Sequence, residues 1–180
     1  MLPKIRRILV PLDFSPSSEY ALAYAQALAT DFGASLHLLH VIEDRLMTGP
    51  WPNEAYLGET ARLREGLVKD SERRCLDCAK SVEKTGVQVT TEVLIGGPAH
   101  AIVESATAPD VDLIVMGTHG RTGITHLLIG SVAERVVRHA PCPVLVVRER
   151  KLADRREAPA GSAPESVREG TASRYAVPAF

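Results

Sequence analysis

Apolar residues along the chain follow two rhythms, and the alternation between them predicts five strands and four helices. Residues 5–10, 35–42, 87–95, 113–116 and 144–147 are short apolar runs bounded by turn residues, as strands are. The run 35–42 is apolar almost throughout, which argues for burial on both faces as in a parallel sheet. The run 87–95 alternates only in part and suits an edge. Between the strands the spacing changes to that of helices. Tyr20, Ala21, Tyr24, Ala25 and Leu28 mark a first helix, which starts in the capping chemistry of residues 13–18 and stops at Gly33. Leu57, Ala61, Val68, Cys75, Ala79 and Val82 form one stripe of a long helix over about residues 53–84. A third helix over 99–108 turns Ala101, Ile102 and Ala106 inward, with Pro98 in its first turn and Pro109-Asp110 at its end. Residues 131–139 make the fourth.

Strands alternating with helices predict an open, five-stranded parallel α/β sheet with right-handed crossovers and helices on both faces. Periodicity leaves the strand order open. Residues 43–54 are irregular, with prolines on both sides of Trp51, the only tryptophan. This segment either covers a ligand crevice or pins itself to the surface. Residues 1–148 carry the whole pattern. Residues 149–180 are rich in Ala, Pro, Ser, Gly, Arg and Glu and are expected to be a disordered tail, with docking through Tyr175, Val177 and Phe180 as the alternative.

Composition narrows the class. The chain is 45% hydrophobic with a formal net charge of -1, acids and bases interspersed, so neither nucleic acid nor an anionic membrane surface is an expected partner. It shows no secretory leader pattern and no apolar run near the roughly 20 residues of a membrane helix, which leads to the expectation of a cytoplasmic protein. Three cysteines do not describe a disulfide framework. Cys75 and Cys78 form a C-x-x-C deep within a helix rather than at a strand-to-helix turn, and they read as packing residues, as does Cys142. His37 and His40 read as strand residues, with no acidic or thiol partner at metal-ligand spacing.

The most specific chemistry follows the fourth strand. Gly117-x2-Gly120-x9-Gly130-Ser131 places two glycine turns between a buried strand and a helix start. Glycines can take positive φ and let backbone N–H groups converge on an anion, and Ser131 adds a hydroxyl where the helix dipole favours negative charge. His119 and Arg121 lie within the loop, where either could meet phosphate or stay solvated. There is no G-x-x-x-x-G-K-[ST] lysine and no residue to position an attacking water, so the loop should bind a nucleotide better than it cleaves one. His126 and His139 have no matching nucleophile, which leaves a hydrolase triad without support. Asp13 follows the first strand. Its carboxylate would repel phosphate unless a cation intervened or it faced the nucleoside, and the alternative is a helix-capping role.

The glycine spacing, together with Pro11-Leu12-Asp13-Phe14-Ser15 and the run from Ala140 to Val147, resembles the universal stress protein family over roughly residues 3–148. The resemblance implies a Rossmann-like sheet, similar to the adenine nucleotide alpha hydrolases, with strand order 3-2-1-4-5 and ligands at the switch point between the first and fourth strands. It implies ATP as ligand, with Mg2+ or Mn2+ on the phosphates and Asp13 as the metal-side or nucleoside-side acid. Pro11 and Asp13 would line the nucleoside, and the backbone at Val41 would read the adenine edge. Met116, Gly117, Thr118, His119 and Gly120 would hold ribose and phosphate, and Gly130, Ser131 and Val132 phosphate. It also implies a homodimer through the apolar edge strand Val144–Val147. The function expected is that of an ATP-binding stress or regulatory protein; the alternatives are a slow Mg-dependent ATP hydrolase and a dimeric module with no nucleotide.

Overall fold

The computed structural model describes residues 4–43, 57–118 and 129–148, with side chains from 62 onward in the long helix. The chain divides into two units, Met1–Glu149 and Arg150–Phe180, and the described residues belong to the first. In chain order the elements are β1 Arg7–Leu12, α1 Pro16–Phe32, β2 Ser35–Glu43, α2 Leu57–Glu83, β3 Val89–Gly96, α3 Pro98–Ser105, β4 Leu113–Gly117, α4 Ser131–His139 and β5 Val144–Val147. All strand pairs are parallel and the order is β3-β2-β1-β4-β5, the topology the resemblance implies.

Alternation along the strands divides the core in two. Ile8, Val10, Leu36, Leu38, Val115 and Val147 turn to the face covered by α1 and α2, and Leu9, Leu39, Ile114 and Met116 to the face covered by α3 and α4. Ala21, Ala25 and Ala29 let α1 lie close to the sheet, because a four-residue spacing of small side chains keeps one helical face flat. Gly33 ends that helix in the left-handed conformation, φ 64°, with its N–H donated to Ala29 O. On α2 the expected stripe is buried at Cys75, Ala79 and Val82 and half-buried at Val68, while its neighbours over 62–70, Leu63 included, are exposed.

Element boundaries differ from expectation at α3, which ends at Ser105 instead of about 108, at β3, which starts at Val89 instead of 87, and at β1, which runs two residues later and takes in Pro11 and Leu12. Those residues pair with Leu39 and His40 of β2, so the neighbouring strand extends β1 past the point where its apolar run weakens. The described residues take up α2 at Leu57, and its expected start at about 53 lies outside them. The loop around Trp51, the residues His119, Gly120, Arg121 and His126, and the tail from 149 lie outside the described residues. Among the described residues no helix is long and apolar enough to cross a membrane.

Candidate functional site

The sheet opens at the place where its topology reverses. Pairing between β1 and β4 covers Ile8↔Leu113 and Leu9↔Ile114, whereas β1 stays with β2 as far as Leu12↔His40 and β4 stays with β5 as far as Gly117↔Val147. Beyond Leu9 the two central strands therefore belong to different halves of the sheet. Crevices of this kind are where open α/β sheets take their ligands.

On the β4 side, Thr118 donates its N–H to Val147 O at 3.1 Å, which holds the end of β4 against β5. Its carbonyl accepts the N–H of Gly130 at 2.8 Å. The chain that leaves at Thr118 thus returns to the same point, and the first and last glycine turns of the motif are brought together. From there α4 starts at Ser131 with Gly130 as its N-cap, φ −59° and ψ 150°, and among the described residues no side chain caps it. An uncapped helix start presents N–H groups that need an acceptor, and the helix dipole favours an anionic one. Ser131 is exposed at this end, while Val132 packs in part against the core.

Gly117 is required by a contact that its motif does not show. Neither Gly117 nor Gly130 has positive φ; among the described glycines only Gly33, Gly86 and Gly96 do. A Cβ on Gly117 would stand 2.9 Å from both the carbonyl carbon and the carbonyl oxygen of Ser17, closer than carbon atoms tolerate. Glycine is needed there because the first turn of α1 passes directly over it. This contact also joins the two loops, since the first turn of α1 follows immediately on the turn that carries Asp13.

Asp13 accepts both the N–H of Ser15 at 3.1 Å and its Oγ–H at 2.6 Å on one oxygen, Oδ1. Ser15 is the helix N-cap, receiving the N–H of Ser18 at 3.3 Å, so Asp13 supports the cap and is not the cap itself. Of the other positions assigned to a nucleotide, Pro11 and Val41 are half-buried near the ends of β1 and β2, and the Met116 side chain is buried in the core, 5% exposed. Any role of Met116 toward a ligand is left to its backbone.

A family model described as Universal stress protein family matches residues 4–148. The chain belongs to the universal stress protein family. Universal stress protein MJ0531 of Methanocaldococcus jannaschii is 38% identical over 146 residues, covering 81% of this chain and 84% of that one. The solved structure of MJ0577, from the same organism, is 32% identical, superposes with a TM-score of 0.73, and the match covers 83% of this chain and 99% of that one. A universal stress protein solved in complex with cAMP is 25% identical with a TM-score of 0.53, over 81% of this chain and 98% of that one.

Other polar groups in this family member have structural explanations. Burial raises the Cys75 thiol to about 11, and burial is also the first cause that raises Cys78 and Cys142, so none is tuned toward a reactive thiolate. His37 has an acidic neighbour on the adjacent strand. Glu92 of β3 lies 3.1 Å from its Nε2, and Thr90 lies 2.9 Å from its Nδ1. The pairing comes from strand register and has no signal in local spacing. Among the described residues no group of three His, Cys, Asp or Glu side chains is arranged to hold a metal ion.

Proposed function

We propose that this chain binds an adenine nucleotide where β1 and β4 part, and that the ligand is ATP. The observation that carries this reading is the junction of Thr118 and Gly130, which sets an uncapped helix start at the end of a central strand. Phosphates would accept from the backbone at Gly130, Ser131 and Val132 and from the Ser131 hydroxyl, with Thr118, His119, Gly120 and Arg121 as further contacts to phosphate and ribose. Pro11, Asp13 and the backbone of Val41 would take the nucleoside, and Met116 and Gly117 the ribose. The cAMP complex of a family member supports an adenine ligand.

A divalent cation, Mg2+ or Mn2+, would reach the site on the phosphates. One carboxylate, Asp13, with one oxygen already accepting twice from Ser15, suits an ion that keeps most of its ligands from phosphate and water. Bound there, the cation would neutralise charge on the terminal phosphates. With no lysine aimed at those phosphates, binding rather than turnover is the function, and hydrolysis is slow if it occurs. The nucleotide then acts as a regulatory ligand that changes shape or partner binding.

We also propose a homodimer through β5. Val144–Val147 is a sheet edge, and Leu145 is 38% exposed on it, an apolar edge of the kind that pairs with another strand. Mass spectrometry of whatever small molecule is released from protein purified without added nucleotide tests the ligand reading. An adenine nucleotide at near-stoichiometric amount supports it; a released ligand of another class overturns it.

A further inference from the structure

Phe14 stands between Asp13 and Ser15 with φ 60°, and it is the one described non-glycine residue with positive φ. A bulky residue stays in that conformation only where its surroundings hold it, and such positions cluster at functional sites. The surroundings here are specific. The ring of Phe14 lies 4.5 Å, centroid to centroid, from the ring of His40, and the guanidinium of Arg74 sits over it at 3.9 Å. His40 is buried on β2 and donates Nδ1–H to Leu12 O at 2.7 Å, which fixes the imidazole against the end of β1. Arg74 comes from the middle of α2. Three elements, β1, β2 and α2, thus converge on a single strained residue.

That residue sets the direction of its neighbour. The reversal at Phe14 is what lets the Asp13 carboxylate turn back on the Ser15 N–H and hydroxyl, and the same Ser15 caps α1. We infer that Phe14, clamped between His40 and Arg74, is a positioning residue that holds the Asp13 turn in its ligand-ready conformation. Through Arg74 the clamp makes α2 part of the site's support, although α2 contributes no ligand-facing residue to the nucleotide reading on which this inference rests. Loosening α2 would release the Asp13 turn, and filling the crevice would order α2.

The test separates strain, fold and site. In Phe14→Gly the backbone conformation becomes easy while the ring is lost, and in Arg74→Met the stem remains while the cation is lost. Hydrogen exchange of the Ser15 amide reads the turn without any ligand, and calorimetry with ATP reads the site. Both variants are expected to keep a melting temperature near that of the wild type, to exchange Ser15 about tenfold faster, and to bind ATP about tenfold more weakly. In an Asp13→Asn background the further loss from Phe14→Gly should fall below about threefold, because residues that act through one another are not additive. Full additivity in that background, or a Ser15 exchange rate unchanged in both variants, would overturn the positioning role. If the wild type itself binds no ATP, the nucleotide reading fails, and Ser15 exchange alone decides whether the clamp holds the turn.

Discussion

Gly117 at the end of β4 and Ser17 in the first turn of α1 are packed so closely that a Cβ on the glycine would meet the serine carbonyl at 2.9 Å. The Ser17 Oγ stands closer still, but the carbonyl carbon and oxygen behind it are backbone, so moving the hydroxyl alone does not clear the space. Gly117→Ala is expected to cost about 1–3 kcal/mol in urea denaturation through overpacking. Ser17→Ala in the same chain should fail to restore the loss. Full rescue by that second change would show that the hydroxyl, rather than the backbone, sets the spacing.

Ser17 makes a separate prediction. Its Oγ is buried with no hydrogen-bond partner among the described residues, and an unpartnered buried hydroxyl costs free energy. Ser17→Ala alone should therefore leave stability unchanged or raise it by up to about 1 kcal/mol, measured by the same denaturation. A loss of more than that would mean the hydroxyl has a partner in solution.

The β5 edge predicts how the chain associates. Leu145 is exposed in the single chain, whereas Val146 packs in part against the α3 and α4 face, so Leu145→Lys disturbs association with least damage to the fold. Light scattering should show a dimer for the wild type and a monomer for this variant, with monomer stability changed by no more than about 0.5 kcal/mol. An unchanged dimer mass in Leu145→Lys would place the interface elsewhere.

The cysteines predict chemical inertness with a defined pH dependence. With Cys75 raised to about 11, roughly one thiol in a thousand is ionised at pH 8, so iodoacetamide should label it only on unfolding. The folded state keeps the proton that the unfolded chain gives up near pH 9. This group's contribution is therefore complete below pH 9 and is lost as pH rises toward 11. Cys75→Ala should flatten the stability profile in that window, and a profile identical to the wild type would show that Cys75 does not titrate there.

What the residues reveal on their own divides along a physical line. Elements formed by local periodicity, such as α4 at Ser131–His139 and β5 at Val144–Val147, are read directly from apolar spacing. Strand order is not, because Leu9 carries no mark that says Ile114 rather than another apolar residue will lie beside it; the order 3-2-1-4-5 came from family resemblance. Glycine illustrates the same limit at the site. The motif locates Gly117, but what requires it is Ser17, a contact a hundred residues apart in the chain. Phe14, His40 and Arg74 likewise come from the β1–α1 turn, β2 and α2 and show their relation only once folded.

Calorimetric titration of the wild type and Ser131→Ala with ATP and Mg2+ tests the nucleotide site most directly. Ser131→Ala removes one hydroxyl from an otherwise intact helix start, and losing a hydrogen bond to a charged group costs about 1.5–3 kcal/mol, roughly ten- to a hundred-fold in affinity. The wild type should bind near one ATP per chain and the variant ten- to a hundred-fold more weakly. No heat of binding in the wild type, or equal affinity in the two proteins, would contradict the site.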